Sequence, residues 1–430
     1  MEGAKRRQVS AAGQDKQRTL LAFAAVTSLF FAWGFITSNN DPLIVALRAA
    51  FQLDYTEALL TQIVFFVAYG FLSLPAAWLT SRIGPIDMIL WALGVMACGC
   101  LLVAASTDFA TFWPILGALF VLASGFTALQ VAANPLAADL GPRTRSHFRL
   151  NFAQSFNSLG VVMGVHFGSL VMLGGPPVET GSGAFLGAVD RAFLIMSGML
   201  AALLLFFVLL RRFLLLAAPR RRPIPSGMFE ALRSRWAIFG AVAIGLYVGA
   251  EVSVGSIMIN FLNQPSVLGV PLEDAGGYLA NYYWGGALCG RIFGTLLLTR
   301  IRATRLLATC GITAAVLCIT VLVSNGPVAG FAALAIGFFN SIMFPTIFTL
   351  TLERSGVSQS ATSGLLCLAI FGGALLPIAV GTIADSFGLG PAFIVPLFAY
   401  CFIAVFAVAA REEWQAERPV EPPVTASPIP

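Results

Sequence analysis

Apolar residues fill this chain in long runs separated by short polar, arginine-bearing connections, and those runs set the first expectation about its fold. They show neither the alternation of a half-buried strand nor the narrow stripe of a surface helix. Most reach the length, about 20 residues, that carries a helix across a hydrocarbon layer. Twelve spans are expected, at 20–50, 57–81, 86–106, 110–139, 148–173, 191–217, 236–263, 275–299, 304–323, 327–352, 360–386 and 390–410. Unbroken apolarity of this kind excludes a porin-type barrel, whose strands alternate. The pattern predicts an all-α membrane protein with an N-terminal segment at 1–19 and six-helix bundles at 20–217 and 236–410. A basic linker at 218–235 separates the bundles, and a Pro- and Glu-rich tail at 411–430 is expected to be disordered. Two halves of six suggest an internal repeat, and spans two and eight each leave through a short arginine-bearing turn.

Charge placement orients the spans. With the N-terminus inside, 22 of the 25 Lys and Arg residues fall on inner segments, Arg48 and Arg191 fall outside, and Arg291 lies within span eight. Positive residues favour the cytoplasmic side, so both termini are expected there, in the inner membrane of a bacterial cell. The chain is 58% hydrophobic and 10% charged, against about 25% charged in ordinary globular domains. Its net charge of +5 follows from topology, so no nucleic-acid partner is expected. All seven cysteines sit in apolar runs without metal spacing and read as packing residues. The first span lacks a small-residue cleavage pattern and reads as retained. Walker A, Gly-x-Ser-x-Gly and His-Glu-x-x-His patterns are absent, so neither ATP-driven pumping nor enzymatic chemistry is expected.

Candidate chemistry lies where polar residues break the apolar runs. Asp41, in Ser38-Asn39-Asn40-Asp41-Pro42, is a carboxylate inside the first span; at mid-membrane it would cost roughly 2.5 to 3.5 kcal/mol. It reads as a proton-coupling group facing a wet cavity, with capping of the outer helix end as the alternative. Gln62, Gln130 and Asn134 add amides on spans two and four. On span five, Asn151, Gln154, Asn157 and Ser158 fall on one band of the helix, predicting a lined cavity more than simple helix–helix glue. Glu251 is the carboxylate within span seven. Asn281, Tyr283 and Trp284 on span eight read either as stacking groups or as an interfacial belt. Asn340 precedes Phe344-Pro345 on span ten. Amides and aromatics without a cluster of positive charge suit a neutral polyhydroxyl ligand. Arg291 reads as snorkelling or as part of an inner gate, His166 as a proton relay or a packing residue, and His147 as a solvated loop residue.

The runs Phe31 to Asp41, Leu129 to Pro135, Arg149 to Gly160 and Phe339 to Phe348 resemble the sugar transporters of the fucose-galactose-glucose-hexose proton symporter family, within the major facilitator superfamily. The resemblance covers the membrane part from Leu20 to about Ala410. It implies a major facilitator fold with inverted repeats, and spans one, four, seven and ten around a central cavity. It further implies Asp41 as the coupling carboxylate and Gln154 and Asn157 as contacts to sugar hydroxyls. Gln130 stands where the fucose branch carries a glutamate, and Gly249 to Ser256 is similar to the glucose/galactose branch. A neutral hexose, glucose or galactose ahead of fucose, is therefore the expected cargo, with H⁺ co-transported and Na⁺ as the rival ion. No resident cofactor or metal is expected. Glu251 is read either as a second titratable group or as an acceptor for sugar hydroxyls. An exporter on the same scaffold is the other reading, and a monomer in the lipid bilayer is the expected state.

Overall fold

The computed structural model describes residues 2–53, 55–109, 111–173, 182–217 and 227–416. Its helices in the first half are α1 (Glu2–Thr37), α2 (Asn40–Phe51), α3 (Tyr55–Ile83), α4 (Pro85–Ser106), α5 (Phe112–Asp139), α6 (Ser146–Gly168) and α7 (Ser182–Ala217). The second half has α8 (Arg235–Asn263), α9 (Leu272–Tyr278), α10 (Gly285–Leu297), α11 (Ala303–Val323), α12 (Gly326–Asn340), α13 (Met343–Arg354), α14 (Gln359–Ala369), α15 (Gly372–Phe387) and α16 (Ile394–Ala416).

Eleven helices among the described residues are long and apolar enough to cross a membrane, and they coincide within a few residues with eleven of the expected spans. The remaining expected span, 275–299, is a continuous helical run from α9 through a π-helical stretch (Leu279–Trp284) into α10. Its glycines, Asn281 and Arg291 lower its apolarity. At the ends, α1 is already helical from Glu2, and α16 continues to Ala416, so the stretch from Arg411 to Ala416 is helix and not disordered tail. Glu, Gln and Ala there are good helix formers that extend the last span. Residues 218–226 of the linker and 417–430 of the tail lie outside the described residues. The rest of the linker folds onto the second half: Ser234 caps α8 by accepting from the Ala237 N–H and donates its hydroxyl to the Ser355 carbonyl.

The helix pairs repeat six spans apart. In the first half α1 packs on α6, α4 on α5 and α4 on α7; in the second, α8 packs on α14 and α15, α11 on α12 and α11 on α16. Side chains such as Leu205, Leu209, Phe398 and Val405 are exposed on the outside, where apolar surface belongs in lipid. The closest approach in the first half uses Gly160 and Gly164 of α6, one turn apart. A Cβ at Gly160 would meet the Phe31 carbonyl of α1, and one at Gly164 the Phe35 carbonyl and Ser38 Oγ. Only glycine lets these backbones touch.

Candidate functional site

Prolines shape the site by releasing carbonyls. A proline inside a helix has no N–H to give and clashes with the carbonyl four residues back. Pro42 therefore opens the first span at Ser38–Asn39, between α1 and α2. Pro345 does the same after Asn340, and Pro135 frees the Val131 carbonyl while α5 stays continuous. Two of these released carbonyls are claimed from distant helices. Val131 O accepts from Ser363 Oγ of α14 at 2.8 Å, and Ser341 O accepts from Arg291 Nε of α10 at 2.9 Å.

At the break in the first span, Asn39 and Asn40 are buried. The Asn39 amide donates to the Phe35 carbonyl at 2.6 Å, and the Oδ1 atoms of both asparagines have no partner among the described residues. Asp41, in the first turn of α2, is exposed and its carboxylate makes no hydrogen bond or ion pair among the described residues. Leu43, Ala46, Leu47 and Ala50 bury the other side of α2, which packs on α3, α6 and α7. Asp41 and Val45 occupy the side left uncovered.

Gln130 is buried and donates to the Tyr69 hydroxyl, leaving its Oε1 unpaired among the described residues. Asn134, a turn away, is 0% exposed and neither side-chain polar atom has a partner among the described residues. The polar band on α6 divides. Asn157 turns to α1 and donates to the Phe30 carbonyl at 3.1 Å, so it sits at the band's edge as a helix-packing contact. Asn151, Gln154 and Ser158 face the second half; Gln154 Nε2 is buried without a partner among the described residues, and Asn151 donates to Thr346 Oγ1 at 3.3 Å. Gln62, Asn281 and Trp284 are exposed, and the hydrogen bonds at the site do not include them.

In the second half a connected group forms around Glu251. Tyr247 OH donates to Glu251 Oε1 at 2.8 Å, Tyr283 OH donates to the Glu251 carbonyl at 3.2 Å, and Asn340 Nδ2 donates to Tyr283 OH at 3.1 Å. Tyr283 and Asn340 are 0% exposed, and Asn340 Oδ1 and the hydroxyl of buried Tyr400 are unpaired among the described residues. Sequence reasoning missed Tyr69, Tyr247 and Tyr400, because a tyrosine in an apolar run carries no mark of what its hydroxyl will meet.

The two halves are joined by polar contacts at one end. Glu353 of α13 accepts from Ser146 Oγ at 2.6 Å and pairs with His147 Nε2 at 3.3 Å. The other ring nitrogen of His147 lies 2.6 Å from Thr349 Oγ1, and Gln359 donates to Asp139 at 3.2 Å. His147 is thus a half-buried member of a cross-half cluster and not a solvated loop residue; α13, distant in sequence, covers it. Arg291 does not snorkel. It reaches across to Ser158 Oγ at 2.5 Å and the Gln154 carbonyl at 3.3 Å, as an inner-gate residue would. From Ser146 to Ser158 these contacts climb about 18 Å of α6 at 1.5 Å per residue. His166 is exposed, and its Nδ1 lies 2.8 Å from the Val162 carbonyl of its own helix.

Comparison with known proteins agrees with this architecture. The sequence profile of the Major Facilitator Superfamily matches residues 20–368. A glucose/galactose transporter of Brucella abortus is 42% identical over 389 residues, covering 90% of this chain and 93% of the relative. A crystal structure of the Escherichia coli fucose:proton symporter superimposes with a TM-score of 0.80 at 27% identity, covering 91% of this chain and 99% of that one. A crystal structure of a superfamily transporter, FucP, in the outward conformation gives 0.80 at 26% identity with the same coverage. The helical architecture, the packing pairs repeated six spans apart and these matches together place the chain in the Major Facilitator Superfamily, as a multi-pass membrane protein whose relatives are transporters and not enzymes.

Proposed function

We propose that this chain imports a neutral hexose, glucose or galactose ahead of fucose, by proton symport and alternating access. The observation that carries the reading is the set of buried amide atoms without partners among the described residues, at Asn39, Asn40, Gln130, Asn134, Gln154 and Asn340. Buried polar atoms are rarely left unpaired, and amides offer both donors and acceptors. A ligand dense in hydroxyls meets such a set; an apolar drug does not. The relative at 42% identity, a glucose/galactose transporter, supports the same cargo.

Asp41 is the proposed proton carrier, on the uncovered side of a broken span with no partner among the described residues to hold its charge. Glu251, hydrogen-bonded to Tyr247, is proposed as a second titratable group or as an acceptor for sugar hydroxyls. By the positive-inside reading, the end closed by Ser146, His147 and Glu353 is cytoplasmic, as are both termini. The working unit in this reading is a monomer in the lipid bilayer. A membrane potential supplies about 2.3 kcal/mol per charge per 100 mV, more than a tenfold concentration ratio. Coupling requires that hexose affinity differ between protonated and ionised Asp41.

The test is Asp41→Asn in proteoliposomes. Accumulation against a gradient should be lost while some exchange of labelled hexose continues; undiminished uphill uptake would overturn the assignment. Repeating uptake in sodium-free buffer with a proton gradient separates H⁺ from Na⁺ coupling.

A further inference from the structure

His147, in the first turn of α6, has both ring nitrogens against groups of the opposite half. Nε2 lies 3.3 Å from the Glu353 carboxylate and Nδ1 lies 2.6 Å from Thr349 Oγ1. Thr349 and Glu353 are four positions apart on one face of α13, so the ring bridges them. Both are acceptors here. A carboxylate has no proton to give, and the single Thr349 hydroxyl proton is directed to carbonyls of its own helix, Pro345 O at 2.8 Å and Thr346 O at 3.2 Å. A neutral imidazole carries one N–H and one bare nitrogen, so it satisfies one acceptor of the pair. The imidazolium carries two N–H groups and satisfies both.

The charged groups on the elements around the ring are Glu353 and Arg354 of α13, Asp139 of α5, Arg18 of α1, Arg291 of α10, and Arg143, Arg145 and Arg149 of its own segment. Arg354 gives two N–H bonds to the Ala410 carbonyl, Arg149 donates to the Pro142 and Ala138 carbonyls, and Asp139 accepts from Gln359. Arg291 binds Ser158, three turns farther along α6. Glu353 is the charge that meets the ring. Parting the halves takes α13 away from α6 and leaves the ring in water, where two N–H groups are no longer required. Closure therefore takes up a proton, and by linkage the closed population grows as pH falls. We propose that His147 is a proton-binding site, distinct from Asp41, that locks this end: the imidazolium ties Thr349 and Glu353 to α6, and the neutral ring lets the halves part. This proton comes from water at the same end and returns there, so it does not travel with the cargo. The consequence for transport rests on the proton-symport reading and its cytoplasmic placement of this end: acid delivered inside shuts the way in, a brake on further import.

The experiment places spin labels at Thr144→Cys and Val357→Cys, on opposite halves beside the cluster. The full chain is used in proteoliposomes, with the exposed Cys98, Cys289 and Cys401 replaced by serine. Distances are measured at about pH 5.5 and about pH 8, which bracket the usual titration of a histidine side chain. In the parent the ratio of closed to open distances should be roughly fivefold higher at the acidic value. His147→Gln should hold the parent's alkaline ratio at both. Thr349→Val, which keeps the shape but removes the acceptor at Nδ1, should shrink the response to about twofold or less. A merely structural role would move the ratio equally at both values. A parent ratio that ignores pH, a response that survives in His147→Gln, or one undiminished in Thr349→Val overturns the proposal. Uptake of labelled hexose under a proton gradient, run on the same chains, separates the lock from the reading beneath it. If the distances behave as stated but protons drive no hexose accumulation, the cargo reading fails and the lock stands. If accumulation is proton-driven and the distances ignore pH, the lock fails alone.

Discussion

Glu353→Ala should loosen the closed end by an amount the structure allows to be worked out. The Glu353 carboxylate accepts from Ser146 Oγ at 2.6 Å, lies 3.3 Å from His147 Nε2 and lies 3.7 Å from Arg354 of its own helix. Only the first two contacts join the halves. A hydrogen bond to a charged group contributes about 1.5 to 3 kcal/mol, and this side chain, 32% exposed, belongs at the low end of that range. The ion pair to His147 adds roughly 0.2 to 1 kcal/mol, and only while the ring is protonated. Truncation therefore removes about 1.5 to 2 kcal/mol of closure, roughly a 10- to 30-fold shift toward the conformation open at this end. The assay is alkylation of Thr346→Cys. Thr346 is 0% exposed and faces Asn151 across the seam, so it becomes reachable only when the halves part. In a background with the exposed Cys98, Cys289 and Cys401 replaced by serine, the alkylation rate should rise about tenfold or more. Glu353→Gln, whose carbonyl can still accept from Ser146, should raise it less. Equal rates in Glu353→Ala and the parent would refute the idea that this cluster holds the end shut.

Two further predictions concern packing and buried polarity. Gly164→Ala places a methyl against the Phe35 carbonyl, a backbone atom that cannot step aside, so the thermal midpoint in detergent should fall by an amount matching roughly 1 to 3 kcal/mol; an unchanged midpoint would mean α1 and α6 are not in contact there. Gln130→Ala strips the buried Tyr69 hydroxyl of its donor and should cost about 1 to 3 kcal/mol in the same assay, with Tyr69→Phe in that background returning part of the loss.

The spans, the division into halves and the positions of the helix-breaking prolines were legible in the chain itself. Length and unbroken apolarity leave a membrane helix as nearly the only way to satisfy the backbone, and a proline releases its carbonyl whatever surrounds it. Asp41, Asn39, Gln130 and Asn134 stood out for the same reason, as polar groups where polarity is costly. What the sequence could not say was who would claim the freed and unpaired groups. Pro135 and Pro345 announce that Val131 O and Ser341 O are free, but only the packed halves bring Ser363 and Arg291 to them. The α6 band looked uniform by angle, yet a near approach to α1 draws Asn157 to Phe30 and leaves Gln154 and Ser158 to the opposite half. His147 read as solvated because its cover, Thr349 and Glu353, lies some 200 positions away. Local chemistry fixes which groups need partners, since that need follows from the residue alone. The choice of partner depends on which helices meet, and it took the tertiary structure to decide it.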